Sequence, residues 1–131
     1  MPVVPVAFPQ LDPHFYFPAL VDSGAHGVRV SVEIAHQMNL DLRRAEKGRL
    51  LVAGNRHTCW YVTVPMRIQR YTWNCEVGFA DGWSHNHSLL GMRGFFEQFK
   101  VLIDTRTKTT TLTPLRHPGS IISPPKLTDS P

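Results

Sequence analysis

The sequence predicts an all-β domain, and three observations support this fold class. Eleven prolines and nine glycines separate short β-type runs, which is typical of a turn-rich β protein and not of a helical bundle. Apolar residues alternate with other residues over 57–69, and a period of two over this length indicates a long strand. The chain has 131 residues, 42% of them hydrophobic, which suits one packed domain.

The first elements lead into a turn around an aspartate. Residues 2–8 are extended and interrupted by proline, as in an edge strand or arm. Residues 14–22 form an aromatic and aliphatic run, which predicts a strand that ends in the turn Asp22-Ser23-Gly24. Further along, Ser31 is placed to cap a helix over residues 32–38.

The middle of the chain predicts two hairpins that share the long strand. A run over 49–53 leads through Gly54-Asn55 into the strand over 57–69. A second alternation over 72–79 then pairs with that strand through Arg70-Tyr71, because the two runs have the same period.

The last third predicts shorter elements. Residues 88–91 form a buried strand that ends in a glycine turn, and residues 94–99 predict a brief helix. A final hairpin joins 100–104 to 109–113. The organisation we expect is a folded domain over residues 1–114 and a flexible tail, rich in proline and serine, over residues 115–131.

Charge and cysteine content narrow the class of protein. A net charge of +4 and a pI near 9.4 make the surface mildly basic, which favours acidic partners. Cys59 and Cys75 lack zinc-ligand spacing; we interpret them as reduced, partly buried thiols, the alternative being one bridge. No secretory signal begins the sequence, and no run reaches the roughly 18 apolar residues of a membrane span. We therefore expect a cytoplasmic protein with no membrane partner.

The candidate for chemistry is the turn Asp22-Ser23-Gly24-Ala25. Gly24 lets backbone amides approach the Asp22 carboxylate, and such amides stabilise its charged form. Ser23 offers a short hydroxyl that can bond to a neighbouring loop. The alternative interpretation is a simple turn in which the aspartate bonds its own backbone.

A second pattern follows later in the chain, at Leu89-Leu90-Gly91, ahead of Gly94-Phe95-Phe96 and a strand over 99–104. In this order and spacing, residues 17–114 resemble the retropepsin-like aspartic peptidases, the retroviral protease type and its bacterial relatives. The resemblance implies a closed acid-protease barrel with one or two short helices. It also implies a homodimer.

The resemblance implies a role for each matching residue. Asp22 would be the catalytic aspartate, and Ser23 would bond across the dimer axis. Gly24 and Ala25 would complete the active-site loop. The segment packed behind that loop would be Leu89, Leu90 and Gly91, and the flap over the substrate would be Ala53, Gly54 and Asn55.

The chemistry requires two such loops. Two carboxylates held close together share one proton, so that one acts as a base towards water while the other polarises the scissile carbonyl. Only Asp22 is followed by Ser-Gly or Thr-Gly, so a twofold homodimer would supply the second loop. The prediction is an aspartic endopeptidase, a hydrolase that acts on peptide or protein substrates without a cofactor. The first alternative is an inactive dimerisation or peptide-binding module of the same fold.

Two other classes of function have weaker support. His85 and His87 are two residues apart, but a structural zinc needs further ligands and neither cysteine lies close in sequence, so we predict no metal. Nucleic-acid binding by a small basic β-barrel is the other alternative, and it rests on Arg43, Arg44, Lys47, Arg49 and Arg56. Asp41 and Glu46 dilute that charge, and a solvated face explains the cluster. We therefore expect no nucleic-acid partner.

Overall fold

The computed structural model describes residues 2–52, 54–83, 88–115 and 126–128. Ten strands in these ranges form two sheets, accompanied by one α-helix and one short 3-10 helix. The strands are β1 (Val3–Val6), β2 (Phe17–Val21), β3 (Val28–Ser31), β4 (Glu46–Val52), β5 (Asn55–Ile68), β6 (Tyr71–Ala80), β7 (Ser88–Leu90), β8 (Phe99–Asp104), β9 (Thr109–Pro114) and β10 (Lys126–Thr128). Helix α1 spans Val32–Gln37, and the 3-10 helix spans Leu42–Arg44.

The larger sheet has seven strands in the order β1-β2-β7-β3-β6-β5-β4, and the smaller has the order β10-β9-β8. The long hairpin predicted from the period-two pattern is confirmed, since β5 and β6 pair antiparallel from Cys59–Ala80 to Ile68–Tyr71. Val64, Met66 and Ile68 of β5 are buried, as alternation predicts for one face of a strand.

The larger sheet is not closed into a barrel, so the expectation of a closed barrel is wrong. After β1, Ala7 reaches β5 by one bridge to Arg67, with N–H···O bonds of 2.9 and 2.8 Å. The next hydrogen-bonded pair of such a ladder would place Pro9 opposite Pro65. Because proline has no N–H to donate, the ladder ends where closure would have continued.

The helices differ in part from the prediction. Helix α1 begins after Ser31, whose hydroxyl accepts a hydrogen bond from the Glu33 N–H at 3.3 Å, and this confirms the predicted cap. The brief helix predicted over residues 94–99 does not form. Gly94 has φ of +97°, outside the helical region, and successive turns lead from it directly into β8.

One apolar core lies between the sheets and α1. Its largest fully buried side chains include Phe8, Phe79, Phe95, Met66 and Leu112.

Within residues 115–131, the segment predicted as a tail, residues 126–128 form β10 and pair antiparallel with β9. Among the described residues, no helix has the length and apolar character needed to cross a membrane.

Candidate functional site

Asp22 is the first residue after β2 and begins a tight turn. Its backbone N–H donates to the Leu90 carbonyl at 3.0 Å, and its own carbonyl accepts the Ala25 N–H at 3.1 Å. Its Oδ1 accepts the Gly24 N–H at 2.8 Å. That last bond belongs to an Asx turn, so the simple-turn interpretation describes the local geometry correctly. The same bond fixes the orientation of the carboxylate, which is half-buried.

The Leu89-Leu90-Gly91 segment lies behind this turn. Strand β7 runs parallel to β2, and Val21 pairs with Leu90. Beyond β7, the Met92 N–H donates to the Ala25 carbonyl and the Arg93 N–H to the His26 carbonyl, each at 2.9 Å. The backbone of β7 and its extension therefore support the loop at Asp22, Ala25 and His26.

Gly91 permits this close approach. A Cβ at Gly91 would lie 2.6 Å from the Ala25 carbonyl oxygen and 2.8 Å from the Gly27 nitrogen, and it would also collide with the Gly27 carbonyl. All three obstacles are backbone atoms, which cannot move aside as the end of a long side chain can. The position therefore requires glycine.

A cavity of ≈ 300 Å³ opens beside the turn. Four of its lining residues belong to the loop: Asp22, Gly24, Ala25 and His26. The others are Arg29 of β3, Leu50 and Leu51 of β4, Trp83, and Leu89 of β7. A carboxylate, apolar side chains and one cation thus share a single concave surface, which is the usual character of a ligand site. Ser23 is exposed at the tip of the loop.

The hairpin predicted as a flap is formed by β4 and β5. Gly54 is exposed at its tip with φ of +82°, and Asn55 begins β5; Ala53 lies outside the described residues. The hairpin residues that border the Asp22 cavity are Leu50 and Leu51, and neither was among the predicted flap residues. Leu51 is 72% exposed. Two adjacent leucines ahead of a turn were the available signal.

Arg29 is a second residue that sequence reasoning missed. It lies between Val28 and Val30 in β3 and is only 8% exposed. Its Nη1 donates to the Val28 carbonyl at 3.0 Å and its Nη2 to the Tyr61 hydroxyl at 3.3 Å. Burial raises the pKa of the Tyr61 hydroxyl, and the positive charge of Arg29 opposes that shift. An arginine inside an apolar strand was the signal in the sequence.

Both cysteines are free and buried, so the alternative of a single bridge is wrong. Burial raises the pKa of the Cys75 thiol to about 12, and burial also raises the pKa of the Cys59 thiol. Because only a thiolate is an effective nucleophile, neither side chain is activated for covalent chemistry at neutral pH.

The basic cluster is exposed and partly paired. Arg43 makes an ion pair with Asp41, with two hydrogen bonds of 3.0 Å, and these bonds lower the pKa of Asp41. Lys47 borders two open grooves of ≈ 400 and ≈ 570 Å³ beside Trp60 and Asp81, so an acidic group faces the same space. This mixture of charges fits a solvated face better than a nucleic-acid surface.

No metal site is found in the part of the chain that the structure describes, where no three His, Cys, Asp or Glu side chains are grouped to hold an ion. His85 and His87, the pair considered for zinc, lie outside the described residues. His26 borders the Asp22 cavity and is exposed.

One family model and two solved structures are similar to this chain. The family model described as aspartyl protease matches residues 13–93, which include the Asp22 loop and β7. The retroviral protease-like domain of Ddi1 from Leishmania major is 16% identical with a TM-score of 0.65, over 100% of this chain and 94% of that one. A retropepsin-like aspartic protease from Rickettsia conorii is 23% identical with a TM-score of 0.59, over 78% of this chain and 82% of that one. A comparison with curated protein sequences finds no match.

Proposed function

The chain belongs to the aspartyl protease family and has a retropepsin-like fold, and we propose that it is an aspartic endopeptidase that acts as a homodimer. Asp22 of each protomer is the catalytic carboxylate in this proposal. The observation that supports it best is the position of Asp22. Its carboxylate is oriented by the Gly24 N–H at 2.8 Å and borders a cavity of ≈ 300 Å³.

The proposed reaction needs both carboxylates. Two carboxylates about 3 Å apart repel each other strongly when both are charged, so the pair retains one proton. The ionised aspartate removes a proton from water, and the water oxygen attacks the scissile carbonyl. The protonated aspartate gives its proton to that carbonyl oxygen, which forms a tetrahedral gem-diol. The C–N bond then breaks, the amine leaves with the proton that the first aspartate took from water, and one gem-diol proton returns to the carboxylate pair. No covalent bond to the enzyme forms, so no cofactor and no other nucleophile is required.

Symmetry supplies the second carboxylate in the simplest way. Ser23 and Gly24 are exposed beside the half-buried Asp22, so the tip of the loop is accessible to a second protomer. A twofold axis at this tip would bring two copies of the same loop together. The Ser23 hydroxyl is then available to bond with the backbone of the partner loop.

The substrate in this proposal is an extended peptide that lies between the loop and the β4–β5 hairpin. Leu50 and Leu51 border the cavity from the hairpin side, and Leu89 borders it from β7. These side chains offer apolar contacts, while the exposed Gly54 near the hairpin tip offers backbone hydrogen bonds to an extended chain.

The test compares two aspartates that have the same local geometry. Asp22→Asn should lower kcat/KM for peptide cleavage by about 10³-fold or more, because asparagine cannot share the proton. Asp12→Asn is the matched control, since Asp12 Oδ1 also accepts an N–H two residues on, from His14 at 2.8 Å, but it does not border the cavity. A peptide library analysed by mass spectrometry, with and without pepstatin, provides the measurement.

The outcomes separate the proposal from its alternative. Cleavage that survives Asp22→Asn would discard the mechanism. A wild-type dimer that binds peptides but cleaves none would identify an inactive peptide-binding module. Light scattering on the wild type and on Asp22→Asn should give the mass of a dimer for both, and a strictly monomeric active enzyme would contradict the shared site.

A further inference from the structure

Arg29 is a buried cation on the wall of the Asp22 cavity. It is 8% exposed and borders the same cavity as Asp22. Removing a guanidinium from water is unfavourable unless hydrogen bonds and an opposite charge compensate, so buried arginines are normally paired with acids. The hydrogen-bond acceptors and acidic groups around Arg29 therefore indicate its role.

Arg29 lacks an acidic partner within the described part of the chain. Its acceptors there are neutral: the Val28 carbonyl at 3.0 Å and the Tyr61 hydroxyl at 3.3 Å, with the guanidinium carbon 5.1 Å from the centre of the Tyr61 ring. The ion pairs among the described residues belong to Arg43 and Arg93. Glu76, an acid on the neighbouring strand β6, is the partner of Arg93 at 3.5 Å.

Small residues leave the space that this arginine and Tyr61 occupy. A Cβ at either Gly27 or Gly78 would lie 2.9 Å from the Arg29 Nη1. A Cβ at Gly48 would lie 2.7 Å from the Tyr61 ring. The guanidinium therefore fills space that the glycines leave and lies over the Tyr61 ring, in a residue that borders the cavity.

We propose that Arg29 selects substrates by binding an acidic side chain, glutamate or aspartate, close to the scissile bond; this inference rests on the proposed peptidase function. A guanidinium has five N–H donors in a planar fork that matches a carboxylate, and two of those donors have described acceptors. The net charge of +4 on the whole chain also favours the binding of acidic peptides.

The twofold symmetry of the proposed dimer adds a second consequence. Each protomer contributes one Arg29 to the shared cleft. An extended peptide that crosses the axis meets these two arginines on opposite sides of the bond to be cut. Acidic side chains should therefore be preferred at two positions, one on each side of the scissile bond and at similar distances from it.

The experiment uses matched peptides that differ only in Glu or Gln at each position around a cleaved bond. At the positions that meet Arg29, the wild type should cleave the Glu peptide about 10- to 100-fold more efficiently, as expected for a charge-assisted bidentate bond. Arg29→Met should remove this difference while it still cleaves the Gln peptide. Arg29→Lys, which retains the charge without the fork, should keep part of the difference.

Arg67→Met is the matched control. Arg67 also lies over a tyrosine, 5.8 Å from the centre of the Tyr16 ring and with a 3.4 Å bond to its hydroxyl, but it does not border the Asp22 cavity. This variant should keep the full preference for Glu. Thermal melting of each variant shows whether it is folded.

A binding measurement keeps this inference separate from the proposed function. In the Asp22→Asn background, fluorescence anisotropy should show tighter binding of the Glu peptide than of the Gln peptide, and Arg29→Met should abolish the difference. Cleavage that depends on Asp22 but ignores charge would overturn the role of Arg29 and leave the peptidase intact. Absence of any cleavage would overturn the peptidase, and the anisotropy result would still decide for or against Arg29. Should Arg29→Met fail to fold, equal wild-type affinities for Glu and Gln peptides would reject the inference.

Discussion

Asp12 and Asp22 both lie in turns in which a side-chain oxygen accepts the N–H two residues further on, and both bonds are 2.8 Å long. The surroundings of the two turns differ. Asp12 is exposed, whereas Asp22 is half-buried, follows a strand and borders a cavity of ≈ 300 Å³. The local bond is thus common to both turns, and only the tertiary setting separates a surface turn from a candidate active-site loop.

The difference arises from β7. The Asp22 N–H donates to the Leu90 carbonyl, and the Met92 and Arg93 N–H groups donate to carbonyls of the loop. These bonds hold the Asp22 turn at both ends. A carboxylate that is fixed in this way needs little reorganisation during a reaction, which is the main source of electrostatic catalysis. A tripeptide motif becomes informative when a second segment is present to support it.

Loss of the support from β7 should damage the Asp22 turn most. Gly91→Ala places a methyl group within 2.8 Å of backbone atoms of Ala25 and Gly27, and overpacking against backbone costs about 3 kcal/mol. We expect the free energy of unfolding to fall by about that amount and cleavage to be lost. Urea denaturation with a matched peptidase assay measures both.

His14→Ala is the control for that variant. The His14 side chain is exposed, and the backbone N–H that bonds Asp12 remains in alanine, so stability should change by no more than about 0.5 kcal/mol. If Gly91→Ala is equally harmless, β7 does not support the loop in the way described.

A subtler change tests the orientation of the carboxylate alone. In Gly24→Ala the new Cβ would lie 3.2 Å from Asp22 Oδ1, so the carboxylate must move by a few tenths of an ångström. We expect kcat/KM to fall about 10-fold, since small misplacements of reacting groups are costly, with little change in melting temperature. Equal losses of activity and of stability would show instead that the variant merely unfolds.

These examples also show which features the sequence could predict. Regular local patterns were sufficient for the β5–β6 hairpin and for the Ser31 cap, because alternation and capping depend on neighbouring residues. The open sheet was missed because the position of the single bridge between Ala7 and Arg67 is set only when the chain folds. The roles of Arg29 and Leu51 depend on contacts across the sheet and the hairpin, which no local pattern contains.

The stabilities of Asp12→Ala and Asp22→Ala test whether two Asp22 carboxylates meet. Equal local bonds alone predict that Asp12→Ala and Asp22→Ala each lower the free energy of unfolding by about 1 kcal/mol at neutral pH. In the proposed dimer, the Asp22 pair must keep a proton at neutral pH, where the carboxyls of the unfolded chain are ionised. This costs free energy, and Asp22→Ala removes that cost, which offsets its loss. We therefore expect Asp22→Ala to cost less than Asp12→Ala in urea denaturation at high protein concentration, where the dimer predominates. The difference should shrink on dilution, because separated protomers do not share a proton and have no such cost to remove. Identical losses at every concentration would mean that the two carboxylates never approach each other.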